Sequence, residues 1–192
     1  MRAGSVLLAV AVLALLLVNV SADAAAQREK IAKYNARVGA KFLAEKSAEA
    51  DVVTLPSGVL YKVLTASTKE NAKTPSAADQ VKVHYAGTLI NGQEFDSSYS
   101  RGSPAEFGVS GVIKGWTEVL QLMKEGDVFE VYIPSDKAYG TSGSGAKIGP
   151  NSTLVFKIEL LEVKGAGSSS RRPSPPRKPA AGKKAKKEEK EL

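Results

Sequence analysis

The sequence predicts an α+β domain in which one short helix lies against several antiparallel strands. Three observations carry this expectation. Residues 81–90 and 153–163 alternate apolar and polar side chains with the period of a strand. Asn91-Gly92 follows the first of these runs directly and is a strong signal for a tight hairpin turn. Trp116, Val119, Leu120 and Met123 stand at i, i+3, i+4 and i+7, forming one apolar stripe on a short helix.

The chain of 192 residues opens Met1-Arg2, runs apolar over residues 6–18 and reaches Val20-Ser21-Ala22. A basic start, a short apolar run and small residues at a cleavage position describe a signal peptide, expected over residues 1–22. The run falls short of the ~20 residues a spanning helix needs, so no membrane span is expected once the leader is removed. Residues 23–50 are Ala-rich and charged, with no proline and only Gly39 as a weak point. Ile31, Tyr34, Val38 and Phe42 recur every three or four positions there, which predicts an amphipathic helix with a narrow apolar stripe. Such a stripe wants a partner: its own domain, a second copy of the chain, or another protein.

Residues 51–164 form the expected globular unit, about the size of one small domain. A first strand over 59–64 follows the Pro56-Ser57-Gly58 turn. In 81–90, Val81, Val83, Tyr85 and Leu89 share one face, while Lys82, His84 and Thr88 share the other. His84 is therefore expected to be a solvated strand residue. A helix over 114–123 is expected to stop before Gly126. Residues 128–133 make a strand that Pro134 ends. In 153–163, Leu154, Phe156, Ile158 and Leu160 point inward and Lys157 and Glu159 outward. The loop over 97–104 is polar and holds Arg101. The loop over 134–152 is long and aperiodic, and unstructured connections of that length are often functional. Residues 165–192 are rich in Ser, Pro and Lys and are expected to be a disordered basic tail.

Composition excludes several chemistries. With no Cys there are no disulfides, thiol nucleophiles or Cys-bound zinc, and with one His there is no His-clustered metal site. No metal or cofactor is expected. The net charge of +7 is uneven: the tail carries nine Lys/Arg against three Glu, so the rest is near neutral. Basicity of that kind describes a tail and gives no reason to expect specific nucleic-acid binding.

Five short motifs stand in order: Val83-His84-Tyr85-Ala86-Gly87, Phe95-Asp96-Ser97-Ser98, Val112-Ile113-Lys114-Gly115-Trp116, Ala138-Tyr139-Gly140 and Leu154-Val155-Phe156. In order and spacing they resemble the FKBP-type peptidyl-prolyl cis-trans isomerases, over roughly residues 55–164. The segment from Gly115 to Met123 and the leading helix resemble the macrophage infectivity potentiator branch. The resemblance implies a half-open antiparallel sheet of five to six strands wrapped around the short helix, with an apolar pocket between them. It implies that Tyr85, Phe95, Asp96, Trp116, Tyr139 and Phe156 form the catalytic pocket, and that Arg101, Val112, Ile113 and Ile148 contact the substrate. Arg101 is expected to pair with Asp96. Proline-containing polypeptides are the implied substrates and rapamycin-like macrolides the implied inhibitors. The sequence departs from the family pattern at Ala105, where many members carry a bulky aromatic residue, at Gly111, where a polar side chain is common, and at Ser144, which is His in some relatives.

Those residue types suit the reaction. Rotation about an X-Pro bond breaks amide resonance against a barrier of ~18–20 kcal/mol and needs no nucleophile or metal. On pattern alone, Phe95, Trp116 and Phe156 would be ordinary core aromatics; the resemblance makes them pocket residues. The runner-up reading is a client-holding chaperone or binding module that uses the same cleft and the N-terminal helix, and the stripe on that helix also suggests a homodimer. Asn151-Ser152-Thr153 is a glycosylation sequon for a chain entering a eukaryotic secretory pathway. The ending Glu189-Lys190-Glu191-Leu192 loosely resembles an ER-retention signal, and the basic run from Lys183 to Lys187 an electrostatic arm. The expected location is the secretory pathway, either ER-luminal or secreted, or the periplasm of a bacterium.

Overall fold

Alternation of apolar and polar side chains builds one sheet, and the computed structural model shows how it curls. The structure describes the backbone of residues 3–165 and the side chains of residues 23–165. The basic tail and its two motifs lie outside the described residues, as do the side chains of the expected leader. Helix α1 (Ala3–Ser47) is followed by strands β1 (Val52–Thr54), β2 (Leu60–Thr65), β3 (Gln80–Leu89), β4 (Glu94–Ser97) and β5 (Ala105–Gly108). Then come helix α2 (Lys114–Leu120), β6 (Val128–Ile133) and β7 (Leu154–Lys164).

All strand pairs are antiparallel, in the order β1-β2-β6-β7-β3-β4, with β5 also paired to β3. The sheet has seven strands where five to six were expected. The extra ones, among β1, β4 and β5, are three or four residues long, too short to show a period. Strand β3 is the spine. Its register with β7 runs from Gln80↔Lys164 to Leu89↔Leu154, with a bulge between Lys82 and Val83. Along its other edge β5 covers Gln80–Val83 and β4 covers Ala86–Thr88, so residues 98–104 loop out between them.

The inward residues of the long strands meet helix α2 in one core that includes Val81, Val83, Leu120, Met123, Ile133, Leu154, Ile158 and Leu160. Gly115 lets α2 approach closely, since a Cβ there would lie 2.6 Å from Ile133. Helix α2 stops at Leu120, earlier than the expected 123. Met123 is nevertheless fully buried, because single turns carry the chain on in a helical sense from Val119 to Met123. Gly126, at φ +98, serves the turn into β6 and donates its N–H to Leu160 O at 2.7 Å.

Helix α1 was expected over 23–50; its backbone is helical without a break from Ala3 and ends at Ser47. It packs on the back of the sheet. Phe42 meets Tyr132 edge-on at 5.8 Å, with Lys46 Nζ lying over both rings. Gly39 is buried there: a Cβ would stand 2.3 Å from Thr153 Oγ1. The stripe is thus used in part by its own domain, while Ile31 and Tyr34 remain 41% and 58% exposed. Among the described residues no helix is long and apolar enough to cross a membrane.

Candidate active site

A cavity of about 420 Å³ opens between the sheet and helix α2. Its lining is assembled from seven places: Tyr85 on β3, Phe95 and Asp96 on β4, Phe107 on β5, Val112 and Ile113 leading into α2, Trp116 on α2, Tyr139 on the long loop, and Phe156 on β7. Trp116 forms the floor and is only 4% exposed. Its ring stands edge-on to Tyr85, Phe107 and Phe156, with centroids 5.2, 5.7 and 5.2 Å away. Such edge-to-face contacts are the preferred geometry for aromatic quadrupoles. The Trp116 Nε1–H is buried and has no hydrogen-bond acceptor among the described residues.

Glycine spacing makes the walls possible. At Gly87 an added Cβ would fall 2.7 Å from both Phe95 and Phe156, whose rings meet edge-on at 5.5 Å above it. Helix α2 is tied to the turn before it by Thr117 Oγ1, which donates to Val109 O at 2.7 Å. That turn carries Gly111, one of the departures from the family pattern, into the cavity wall.

One charge sits at the mouth. The Tyr85 hydroxyl donates to Asp96 Oδ2 at 2.5 Å, Arg101 Nη1 pairs with Asp96 Oδ1, and Arg101 Nη2 donates to the Tyr85 hydroxyl at 2.8 Å. Burial pushes the Asp96 carboxyl up, but the Tyr85 hydroxyl and the Arg101 guanidinium pull harder and hold it below the usual carboxylate range. Burial and the neighbouring carboxylate push the Tyr85 hydroxyl up. The carboxylate therefore stays charged and the phenol stays protonated.

The loop behind this clamp is fastened from the sheet. Ser98 is fully buried; its Oγ accepts the Tyr85 N–H at 2.8 Å, donates to Tyr85 O at 3.2 Å and lies 2.9 Å from His84 Nδ1. His84, on β3, also stacks on Tyr99 at 4.6 Å, so it is a partly buried residue packed against this loop and not the solvated residue expected. Tyr99 in turn donates to Glu159 at 2.9 Å, and burial together with that carboxylate pushes its hydroxyl up to about 12.

Eight of the ten residues named from the sequence line the cavity. Arg101 stands outside it, exposed at the rim, and reaches it through Asp96 and Tyr85. Ile148 belongs to an adjoining chamber of about 300 Å³ that shares Phe95, Asp96 and Tyr139 and is completed by residues 144–147. Ser144 and Ile148 exchange backbone hydrogen bonds of 2.8 and 3.2 Å across it. Phe107 was missed. It lies on a four-residue strand, and its alternation with Ala105 was the only signal for it. Among the described residues no cluster of His, Asp and Glu could hold a metal ion. The sequon residue Asn151 is half-buried, with its Nδ2 donating to Ala32 O at 3.4 Å.

Comparison with known proteins follows the same lines. Residues 71–161 match the family described as FKBP-type peptidyl-prolyl cis-trans isomerase, and residues 8–63 match the domain amino-terminal to it. A macrophage infectivity potentiator of Trypanosoma cruzi is 45% identical, covering 77% of this chain and 74% of that protein. The outer membrane protein MIP of Legionella longbeachae is 48% identical over 76% of this chain and 61% of its own length. The crystal structure of FkpA from Escherichia coli superposes with a TM-score of 0.76 at 42% identity, covering 81% of this chain and 71% of that one.

Proposed function

The chain belongs to the FKBP-type peptidyl-prolyl cis-trans isomerases, and from that premise we propose how its cleft speeds rotation about X-Pro bonds in polypeptides. The observation that carries the proposal is an aromatic cavity floored by Trp116, with a single anchored carboxylate at its mouth. A planar amide is a charge-separated dipole, and the amide twisted out of plane is less so. An apolar enclosure therefore favours the twisted state over the planar one, which is differential binding of the transition state.

Trp116 supports the proline ring, and Phe95, Phe156 and Tyr85 exclude water from the rotating bond. A strong donor on the rotating carbonyl would reinforce resonance. The Tyr139 hydroxyl and the Ile113 N–H accordingly hold neighbouring carbonyls and fix orientation, and Val112 and Ile148 contact flanking residues. Asp96 supplies orientation and local field. It needs no proton transfer, consistent with a carboxyl held charged by Tyr85 and Arg101.

The experiment is cis-trans exchange of a short Xaa-Pro peptide, with and without rapamycin. Acceleration abolished by the macrolide is expected. No acceleration by folded protein would overturn the reading. Acceleration that resists the macrolide would keep the enzyme and point to the departures from the family pattern at Ala105, Gly111 or Ser144.

Exposed Ile31 and Tyr34 support two further readings of the N-terminal helix, a client-holding surface and a homodimer contact. Light scattering decides the second: monomer alone at high concentration would remove it. We also place the chain in a secretory or periplasmic compartment, supported by the basic and apolar start of the sequence and by the outer-membrane naming of one relative. Protease protection of the expressed chain in a membrane-bounded fraction tests this placement.

A further inference from the structure

Helix α1 and the long loop that carries Tyr139 and Ile148 meet along a line of hydrogen bonds. Arg28 Nη2 donates to Ser142 O at 2.8 Å, and Asn35 Nδ2 donates to Pro150 O at 2.9 Å and reaches Ser152 Oγ at 3.4 Å. Asn151 Nδ2 returns a bond to Ala32 O at 3.4 Å. Asn151 holds φ +56, and its own N–H donates to Gly140 O at 2.8 Å, so the two ends of the loop are pinned together where the helix touches them. The pinned residues are the chain neighbours of the cleft's loop wall: Gly140 follows Tyr139, and Gly149 follows Ile148. At Gly149 a Cβ would lie 3.2 Å from Asn35 Nδ2 and 3.7 Å from Ile31.

Beside these bonds a second cleft of about 320 Å³ opens between α1 and the β3–β4 turn, lined by Tyr34, Val38, Leu89 and Ile90 among others and by no charged side chain. Apolar packing is incomplete at this level of the helix. The spacing between helix and loop is therefore set by the hydrogen bonds, with close contact at Gly149 and, further along, at Gly39.

We propose that α1 positions the active-site loop, with Arg28 and Asn35 as positioning residues that act through Ser142 and Pro150 on Tyr139 and Ile148. Neither residue touches the cleft. Their loss leaves the aromatic floor intact and loosens only the wall that holds the substrate's neighbouring carbonyls. A displacement of α1, by a bound protein or by a mutation, then changes substrate binding across the domain. The kinetic consequence rests on the isomerase reading, whereas the structural one does not.

Two measurements on the full chain decide it. In Asn35→Asp, which keeps the shape and removes the donor, and in Arg28→Ala, amide hydrogen exchange over residues 140–151 rises while that of β3 and β7 stays unchanged. The KM for an Xaa-Pro peptide rises about three- to tenfold with kcat nearly constant, the scale of one or two hydrogen bonds. Arg28→Lys, which keeps a donor, recovers part of the loss. Gly39→Ala, which pushes the helix off Thr153, reproduces the loop effect by a separate route. Unchanged exchange in the loop, or a rise spread equally over the sheet, overturns the proposal. A wild-type protein without isomerase activity would instead remove the isomerase reading and leave the exchange result to decide this one.

Discussion

At the scale of single residues the cleft is governed by one clamp and one floor. The Asp96–Tyr85–Arg101 cluster is a charged site beside an apolar cavity, tolerable because the carboxylate is both paired and hydrogen-bonded. The Asp96 carboxyl lies below its unfolded value of ~3.9, so the clamp is complete above about pH 4 and is lost as pH falls through the lower folded value. The Tyr85 hydroxyl is raised, so its contribution is present below ~10 and is lost only as pH rises through the higher folded value. The wild-type to Asp96→Asn ratio of exchange rates should thus be constant between about pH 5 and 9 and fall toward one below about pH 4. A ratio that changes near neutrality would count against this assignment. Tyr139→Phe removes the hydroxyl proposed to orient the substrate, and a loss of about three- to tenfold in kcat/KM is expected from steady-state exchange kinetics. An unchanged value would show that the hydroxyl holds no carbonyl.

At the scale of elements, strand β3 carries the site because both of its edges are used, by β7 on one side and by β4 and β5 on the other. Gly87 is where that strand gives way to the rings of Phe95 and Phe156. Gly87→Ala is expected to destabilise the fold by about 1–3 kcal/mol through overpacking and to lower activity by more than stability explains. Urea midpoints read alongside exchange rates test this, and full activity would refute it. The long strands were legible because ten or so alternating residues leave little room for another period. Strands β1, β4 and β5 were not, since three or four residues allow at most two alternations, and Phe107 went unnoticed with β5. The helix stripe was read from its apolar members. The contact is made as much by Asn35 and Gly39, a polar residue and an absent side chain that no hydrophobic pattern reports. Most of the cleft was recovered through motif resemblance and little of it through pattern, because core aromatics and pocket aromatics look alike in one sequence.

At the scale of the whole molecule, one core holds the sheet and α2, while α1 is attached from outside by Phe42, Gly39 and a row of polar bonds. Phe42→Ala should therefore loosen the helix before the domain: exchange over residues 30–47 should rise while the denaturation midpoint followed in the sheet moves little. A fully cooperative loss of both would mean that helix and domain are one folding unit. The chain also contains a single tryptophan, and that tryptophan is the floor of the cleft. Its emission thus comes from the site alone. Shielded, and with no acceptor for its N–H among the described residues, it should fluoresce to the blue in the native protein, shift when a ligand settles on the ring, and move to the red on unfolding. The molecule carries its own optical gauge of occupancy, readable without label or substrate turnover.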